Sequence, residues 1–242
     1  MTAVLLFASA MLLPQESSEA EALLQKVERA LASNLSLKFK TQVELREYRT
    51  VKPAGGRVRA QVGSVTLELR PGHRVDIQAR LSIDGLAWPE PLPKPIPGHP
   101  ERPQAWMSVK SDGSTLTVSP LEKPAVARMV APPRLNSTLV RQLLRIGVMS
   151  TVEETVRKVA LQDGIITTEA AVDLKILGPE KVGEVEAIKL QIASPKPNPA
   201  VSLLWIDAKS HLPLKRETRS QGATWERTTT ETYSGFGDVI GK

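Results

Sequence analysis

The residues of this chain that could do chemistry are concentrated in one short segment, VSLLWIDAKSHLPLKRET, which runs from Val201 to Thr218. It places Asp207 and His211 close together, and a carboxylate beside an imidazole is a common arrangement in general acid–base catalysis. The two residues also flank the tripeptide AKS between two apolar stretches. Asp and Ser often close a turn by accepting hydrogen bonds from nearby backbone amides. We therefore expect a turn-forming pair here, and not a catalytic dyad.

Other catalytic and metal-binding patterns are absent from the sequence. His73, His99 and His211 are isolated, and none belongs to an HxxxH or HExxH motif. The chain has no cysteine, which excludes disulfides, thiolate metal sites and cysteine nucleophiles. It also has no GxSxG motif, no phosphate-binding glycine loop and no dinucleotide fingerprint. We predict a protein that is not an enzyme and that uses no metal or other cofactor.

The composition is that of a globular protein without a nucleic-acid partner. Of the 242 residues, 41% are hydrophobic, 24% are charged and only 4% are aromatic, and the net charge is +6. The basic residues are interspersed with acids, as in LKRETRSQGATWER, whereas a surface that follows a phosphate backbone clusters them. So few aromatic residues also argue against a base-stacking surface.

The amino terminus resembles a secretory signal. Ala3 to Leu13 form an apolar run that is too short to span a bilayer as a helix, and Ala8 to Ala10 (ASA) form a candidate cleavage site. We expect residues 1–17 to be a signal peptide or a disordered segment. The mature chain is then expected to be an exported monomer with no transmembrane segment.

Apolar residues that alternate with polar ones predict long strands with one buried face. The RPGHR sequence and Asp112–Gly113 predict hairpin turns, and Gly63 suggests a bulge or bend within a strand. Such strands are typical of a curved antiparallel sheet. The alternating sets are Leu35, Leu37, Phe39, Val43 and Leu45, then Val65, Leu67 and Leu69, then Val75, Ile77, Ala79, Leu81 and Ile83.

Three amphipathic helices are predicted, and their apolar faces need a partner surface. The first covers Ser18 to Ser33, where Ser18 and Glu21 have the spacing of a capping box. The second covers Asn136 to Met149, with Asn136 as its cap, and the third covers Thr151 to Leu161, with Thr151 as its cap. Because a sheet with one apolar face needs a cover, we expect these helices to supply it.

A proline-rich segment interrupts this pattern. Residues 88–103, WPEPLPKPIPGHPERP, contain seven prolines, which exclude regular strand pairing and favour an extended, exposed loop. We interpret it as a rim loop or spacer, with a ligand for a proline-reading domain as the alternative. Residues 18–242 are otherwise predicted to form a single domain.

Three segments resemble the LolA/LolB-like superfamily of lipoprotein carriers and outer-membrane sorting proteins. GSVTLELRPGHRVDIQ (Gly63 to Gln78) is similar to a strand–RPG–strand hairpin of that family, and SDGSTLTVSP (Ser111 to Pro120) to its DGxTL hairpin. LWIDAKSHLPLKRE (Leu204 to Glu217), with YSGF (Tyr233 to Phe236), is similar to the family's last strands. The three segments occur in the same order as in that family, and the first predicted helix has the same position relative to them as the first helix of the family.

The resemblance implies an α+β fold: a strongly curved antiparallel sheet, or incomplete β-barrel, with helices covering its concave face. It also implies a location in the periplasm or cell envelope and a hydrophobic groove for the acyl chain of a lipid or lipoprotein. The residues expected to line that groove are Leu37, Phe39, Val43, Leu67, Leu69, Ile77, Leu81, Trp106, Met107, Leu139, Leu143, Leu203 and Trp205.

The sequence leaves two functions open. In the first, the helices can lift and the groove holds an acyl chain. In the second, the same fold has a filled core and serves as an envelope interaction or structural module with a protein partner. The volume between the sheet and the helices distinguishes the two.

Overall fold

The computed structural model of the chain describes residues 15–32, 37–51, 55–84, 104–119, 127–161, 172–194 and 200–238. Within these residues the chain forms three α-helices and one sheet of eleven β-strands. The helices are α1 (Gln15–Ala32), α2 (Leu135–Ile146) and α3 (Val148–Ala160). The strands are β1 (Leu37–Val51), β2 (Gly55–Arg70), β3 (Arg74–Asp84), β4 (Gln104–Asp112), β5 (Thr115–Ser119), β6 (Ala127–Val130), β7 (Asp173–Val182), β8 (Val185–Ser194), β9 (Ala200–Asp207), β10 (Pro213–Gly222) and β11 (Trp225–Asp238).

The strand order is β6-β5-β4-β3-β2-β1-β11-β10-β9-β8-β7, and every pairing is antiparallel. Strands that follow each other along the chain are neighbours in the sheet, except β6 and β7, and the first and last strands pair in its middle. Strands β6 and β7 form the two edges. The sheet is curved and open, with the helices on its concave face, so the predicted α+β fold class is confirmed.

The alternation predicted for the long strands gives the sheet one apolar and one polar face. In β1, Phe39 and Val43 are buried, whereas Lys40 and Glu44 between and beside them are exposed. Successive side chains of a strand point to opposite faces, so this pattern buries one whole face. The prediction of a bulge at Gly63 is wrong, because the pairing of β2 with β1 and with β3 continues in register through that residue.

Polar residues close the turns that the sequence predicted. In the turn between β4 and β5, the Asp112 carboxylate accepts hydrogen bonds from the backbone N–H of Thr115 at 2.7 Å and of Ser114 at 2.8 Å. These bonds, that from Thr115 first, lower the pKa of Asp112 to about 2. The turn between β2 and β3 includes Gly72 and His73, both with positive φ.

The helices lie where the sequence placed them, but their predicted ends shift. Helix α1 begins at Gln15, three residues before Ser18. Helix α2 begins at Leu135, after Arg134 in the left-handed region, so the prediction that Asn136 caps this helix is wrong. The Asn136 side chain instead donates from Nδ2 to the backbone oxygen of Arg70 at 2.8 Å, which ties the first turn of α2 to the end of β2.

Gly147 interrupts the helical conformation between α2 and α3, and it has a φ of 89°. Glycine adopts this conformation without the steric penalty that a Cβ atom brings. The prediction that Thr151 caps the third helix is wrong, since Thr151 lies within α3 and its hydroxyl donates to the Gly147 oxygen at 2.6 Å.

The helices cover different parts of the concave face. Helix α3 packs on β3 to β6, α1 packs on the edge strand β7, and α2 contacts both helices. Within the described ranges, no helix is both long enough and apolar enough to cross a membrane. The predicted signal segment up to residue 14 and the proline-rich residues 88–103 lie outside those ranges.

Candidate functional site

Apolar residues of the concave face and of the inner faces of the helices form one core cluster. Because paired residues in neighbouring strands point to the same side, the inward residues of each strand add to those of the next. Nine of the predicted groove residues belong to this cluster, and each is buried: Leu37, Phe39, Val43, Leu67, Leu69, Ile77, Met107, Leu139 and Leu143.

The structure does not bring Leu203 and Trp205 to this face. Trp205 pairs with Lys215, and Lys215 pairs with the exposed Thr232, so all three lie on the convex side of the sheet. Leu203 has the same phase as Trp205 in β9. The inward residues of that strand are Leu204 and Ile206, both fully buried in the core cluster. The assignment of Leu203 and Trp205 to the groove is therefore corrected by one position along the strand.

Trp205 is buried on the convex face by the side chains of its neighbours. The ammonium groups of Lys189 and Lys215 lie 4.8 and 5.0 Å from the centre of its ring, within range of a cation–π interaction. Lys189 also bonds Glu180 at 2.9 Å, and this bond lowers the pKa of Glu180 below its ordinary value. The lysine stems thus shield an aromatic side chain that faces away from the core.

Two further groove residues of the prediction, Leu81 and Trp106, are in strands β3 and β4, but their side chains lie outside what the structure describes. Leu81 pairs with Gly63 and with Ala105, and Trp106 pairs with Arg80. Their part in the groove stays a prediction.

A buried carboxylate holds the start of α3. Glu231 on β11 is almost fully buried, and its two oxygens accept hydrogen bonds from the backbone N–H of Val148 at 3.0 Å and of Met149 at 2.8 Å. The first N–H groups of a helix have no partner within the helix, and a negative charge there is favoured by the helix dipole. Glu231 therefore acts as an anionic cap supplied by the sheet.

A buried guanidinium holds the end of α2 in the complementary way. Arg216 on β10, which pairs with Glu231 across the strands, is fully buried. It donates from Nη1 to the backbone oxygen of Arg145 at 3.2 Å and from Nη2 to that of Leu144. The last carbonyl groups of a helix lack partners and favour a cation. We call Arg216, Glu231, Tyr233 and the backbone of residues 144–149 the polar corner.

Gly147 lets the two helix ends meet at these side chains. A Cβ atom on this residue would lie 2.9 Å from Glu231 Oε2 and 3.2 Å from Arg216 Cδ, closer than van der Waals contact allows. The positive φ and the close approach of two charged side chains both require glycine at this position.

Tyr233 completes the polar corner as a neutral hydrogen-bond donor. Its hydroxyl donates to Glu231 Oε2 at 2.7 Å. Burial, and then the negative charge of Glu231, raise the pKa of Tyr233 well above its ordinary value, although Arg216 opposes the shift. The carboxylate of Glu231 thus already accepts three hydrogen bonds. The side chains of the polar corner serve to hold α2 and α3 on the sheet.

Asp207 and His211 lie in the turn between β9 and β10, as the sequence predicted. The Asp207 carboxylate accepts from the backbone N–H of Lys209 at 2.7 Å, and the N–H of His211 donates to the Asp207 backbone oxygen at 3.0 Å. The bond from Lys209 is the largest cause of the lowered pKa of Asp207. The Ser210 hydroxyl accepts from the Leu212 N–H at 3.3 Å. The pair therefore closes a turn.

A surface cleft of about 310 Å³ lies near the turn between β2 and β3, and it is lined by residues of both charges. They include Arg70, Arg74 and Lys110 together with Glu68, Asp76 and Asp112, and none of the predicted groove residues. Among the described residues, no group of three or more His, Cys, Asp or Glu side chains is placed to hold a metal ion.

Sequence reasoning missed the polar corner. The available signal was a charged residue in the inward phase of a strand: Glu231 lies two residues from the inward Thr229 and Tyr233, and Arg216 is in phase with Thr218. A charge in that phase predicts a buried partner, but alternation does not identify the partner.

Together these features define a class of protein, an open curved antiparallel sheet whose apolar concave face is covered by helices. No protein-family model matches the chain, and no curated protein matches it in sequence. Among solved structures it is similar to a DUF1329 family protein from Desulfovibrio piger, with 9% identity and a TM-score of 0.38 over 94% of this chain and 95% of the other.

It is also similar to a LolA superfamily protein from Nitrosomonas europaea, with 10% identity and a TM-score of 0.31 over 92% of this chain and 94% of the other. MucB is similar at 14% identity and a TM-score of 0.39, over 93% of this chain and 61% of the MucB chain.

Proposed function

We propose that this chain is a non-enzymatic binding or carrier protein for the acyl chain of a lipid or lipoprotein, held between the concave face and the helices. The observation that carries the proposal is the apolar core cluster, which takes buried residues from β1 to β5, β8, β9 and β11 and is covered by separate helices. Burial of an acyl chain there contributes roughly 0.8 kcal/mol for each methylene, so a long chain needs few polar contacts.

The chemistry of the described polar groups supports a binding role. Asp207 closes a turn, and the charged groups of the polar corner are engaged with helix ends. The apolar run Ala3 to Leu13 supports export to the periplasm or cell envelope, where such a protein would act as a monomer.

The test is a chain-length series. The protein is purified after export with its own leader, its intact mass gives the cleavage site, and a solvent extract is searched for fatty acids by mass spectrometry. Saturated fatty acids of increasing length then compete with a fluorescent fatty acid. Affinity is expected to rise about fourfold for each added methylene until the groove is full. An empty extract, together with an affinity that does not change with chain length, would contradict the proposal.

A filled core is the second candidate, and burial of the concave face favours it. Leu67 and Ile77 are each 1% exposed, so in this conformation the helices close over the sheet. An envelope interaction or structural module needs no further opening. In that case the chain takes up no fatty acid of any length, and its thermal stability does not change when fatty acids are added.

A further inference from the structure

The helix pair α2–α3 and helix α1 are attached to the sheet in different ways. The polar corner joins both ends of the α2–α3 break to β10 and β11 through buried charges. Asn136 also ties the start of α2 to the end of β2. The ion pair of Glu153 on α3 with Arg227 on β11, at 3.0 Å, is partly exposed and adds little to this attachment. The pair is thus fixed at several points along its length.

Helix α1 is attached chiefly by an apolar stripe. Its buried residues face the edge strand β7 and helix α2, and β7 itself is half-exposed and carries a register shift between Ile176 and Gly178. Among the side chains that the structure describes, two ion pairs join α1 to α2, Glu28 with Arg141 at 3.4 Å and Glu21 with Arg145 at 3.3 Å, and all four side chains are partly exposed. Exposed ion pairs of this kind contribute little to stability. The stripe comprises Ala20, Leu23, Leu24, Val27 and Leu31.

We propose that α1 is the moving cover of the groove and that α2–α3 remains fixed when a ligand enters. This inference rests on the proposed acyl-chain function. An acyl chain that replaces α1 against β7 and α2 restores the burial that the displaced helix gives up. The same chain offers no partner to Arg216, Glu231 or the helix ends, so lifting the polar corner would leave buried charges and backbone groups unpaired. Entry between α1 and its neighbours therefore costs less than entry beneath α2–α3.

The absence of cysteine makes a cross-linking test direct. In the first variant, Glu28→Cys and Arg141→Cys are joined by a short bis-maleimide whose spacer contains a reducible disulfide, which ties α1 to the fixed α2. In the matched control, Glu153→Cys and Arg227→Cys are joined by the same reagent, which ties α3 to β11. Uptake of a fluorescent fatty acid is measured before cross-linking, after cross-linking and after reduction of the spacer.

The cross-linked α1 variant is expected to lose uptake and to regain it on reduction, and the cross-linked control is expected to retain it. Undiminished uptake in the cross-linked α1 variant would overturn the inference and leave the proposed function standing. Loss of uptake in the control alone would also overturn it, because α3 would then be the moving part. If the wild-type protein takes up no probe, the proposed function fails and the inference fails with it. The pair Glu21→Cys and Arg145→Cys serves as the second variant should the first not fold.

Discussion

At the scale of single residues, the polar corner shows how a mostly apolar interior accommodates charge. Arg216 and Glu231 are buried side by side on paired strands, and each satisfies helix-end groups that would otherwise have no partner. A buried ion is costly unless it is paired and hydrogen-bonded, so the two charges and the two helix ends depend on one another. Gly147 is the residue that permits this arrangement, because a side chain there would displace both.

This dependence predicts a non-additive double-mutant cycle. Arg216→Met leaves the carbonyl groups of α2 and the charge of Glu231 uncompensated and is expected to lower the free energy of unfolding by about 3–5 kcal/mol. Glu231→Gln keeps one acceptor and is expected to cost about 1–3 kcal/mol. The double variant should lose less than the sum, because neither charge is then left without its counterpart.

Urea denaturation followed by circular dichroism measures all three variants. Arg219→Met is the matched control, since Arg219 is exposed on the same strand, and it should change stability by no more than about 0.5 kcal/mol. Losses that add for Arg216 and Glu231 would show that the two side chains act independently.

At the scale of helices and strands, the phase of β9 decides which of two adjacent leucines belongs to the core. Leu204 is fully buried beneath the helices, and Leu203 is half-buried on the convex face. We expect Leu204→Ala to lower the free energy of unfolding by about 2–5 kcal/mol, because it opens a cavity in a packed interior. Leu203→Ala should cost about 1 kcal/mol. Thermal or urea denaturation compares the two variants directly. Equal losses in the free energy of unfolding would show that the assignment of Leu204 to the inward face of β9 is wrong.

The same strand shows the limit of the sequence at this scale. In β1 apolar residues alternate with polar ones from Leu37 to Leu45, except at the inward Thr41, and the inward apolar residues Leu37, Phe39, Val43 and Leu45 are predicted correctly. In β9 the run from Leu203 to Ile206 is apolar at every position, so alternation alone does not assign a face. The apolar run predicts Leu203 and Trp205 in the groove, yet lysines on the neighbouring strands cover Trp205 on the other face. That environment depends on strand register, which becomes known only with the fold.

Helix positions were predictable for a similar reason, and helix ends were not. Periodic apolar residues predict an amphipathic helix wherever a surface exists to receive it. The caps predicted at Asn136 and Thr151 rest on local spacing, whereas the structure caps these helices with residues more than sixty positions away. Local motifs such as the Asp112 turn were predictable because all of their partners lie within three residues.

At the scale of the whole molecule, the two halves of the chain are interlocked. Strands β1 to β6 and β7 to β11 meet at the pairing of β1 with β11. Helix α1, which precedes β1, packs on β7 in the other half, and α3 packs on β3 to β6 while its start is held by β11. If the two halves separate, neither keeps all the helix contacts that bury its apolar face. The sheet should therefore unfold as one unit.

The aromatic contacts across the central pairing provide the test of this cooperativity. Phe39 on β1 lies 6.1 Å from the ring centre of Tyr233 and 5.1 Å from that of Phe236, both on β11. Phe39→Ala removes this packing at the junction of the two halves and is expected to cost about 3–5 kcal/mol. Because the halves depend on each other, the far-ultraviolet circular dichroism and tryptophan fluorescence transitions in urea should move together to lower concentration and remain superimposable. Two separated transitions in the variant would mean that each half is stable alone, and the covering helices would then belong to separate folding units.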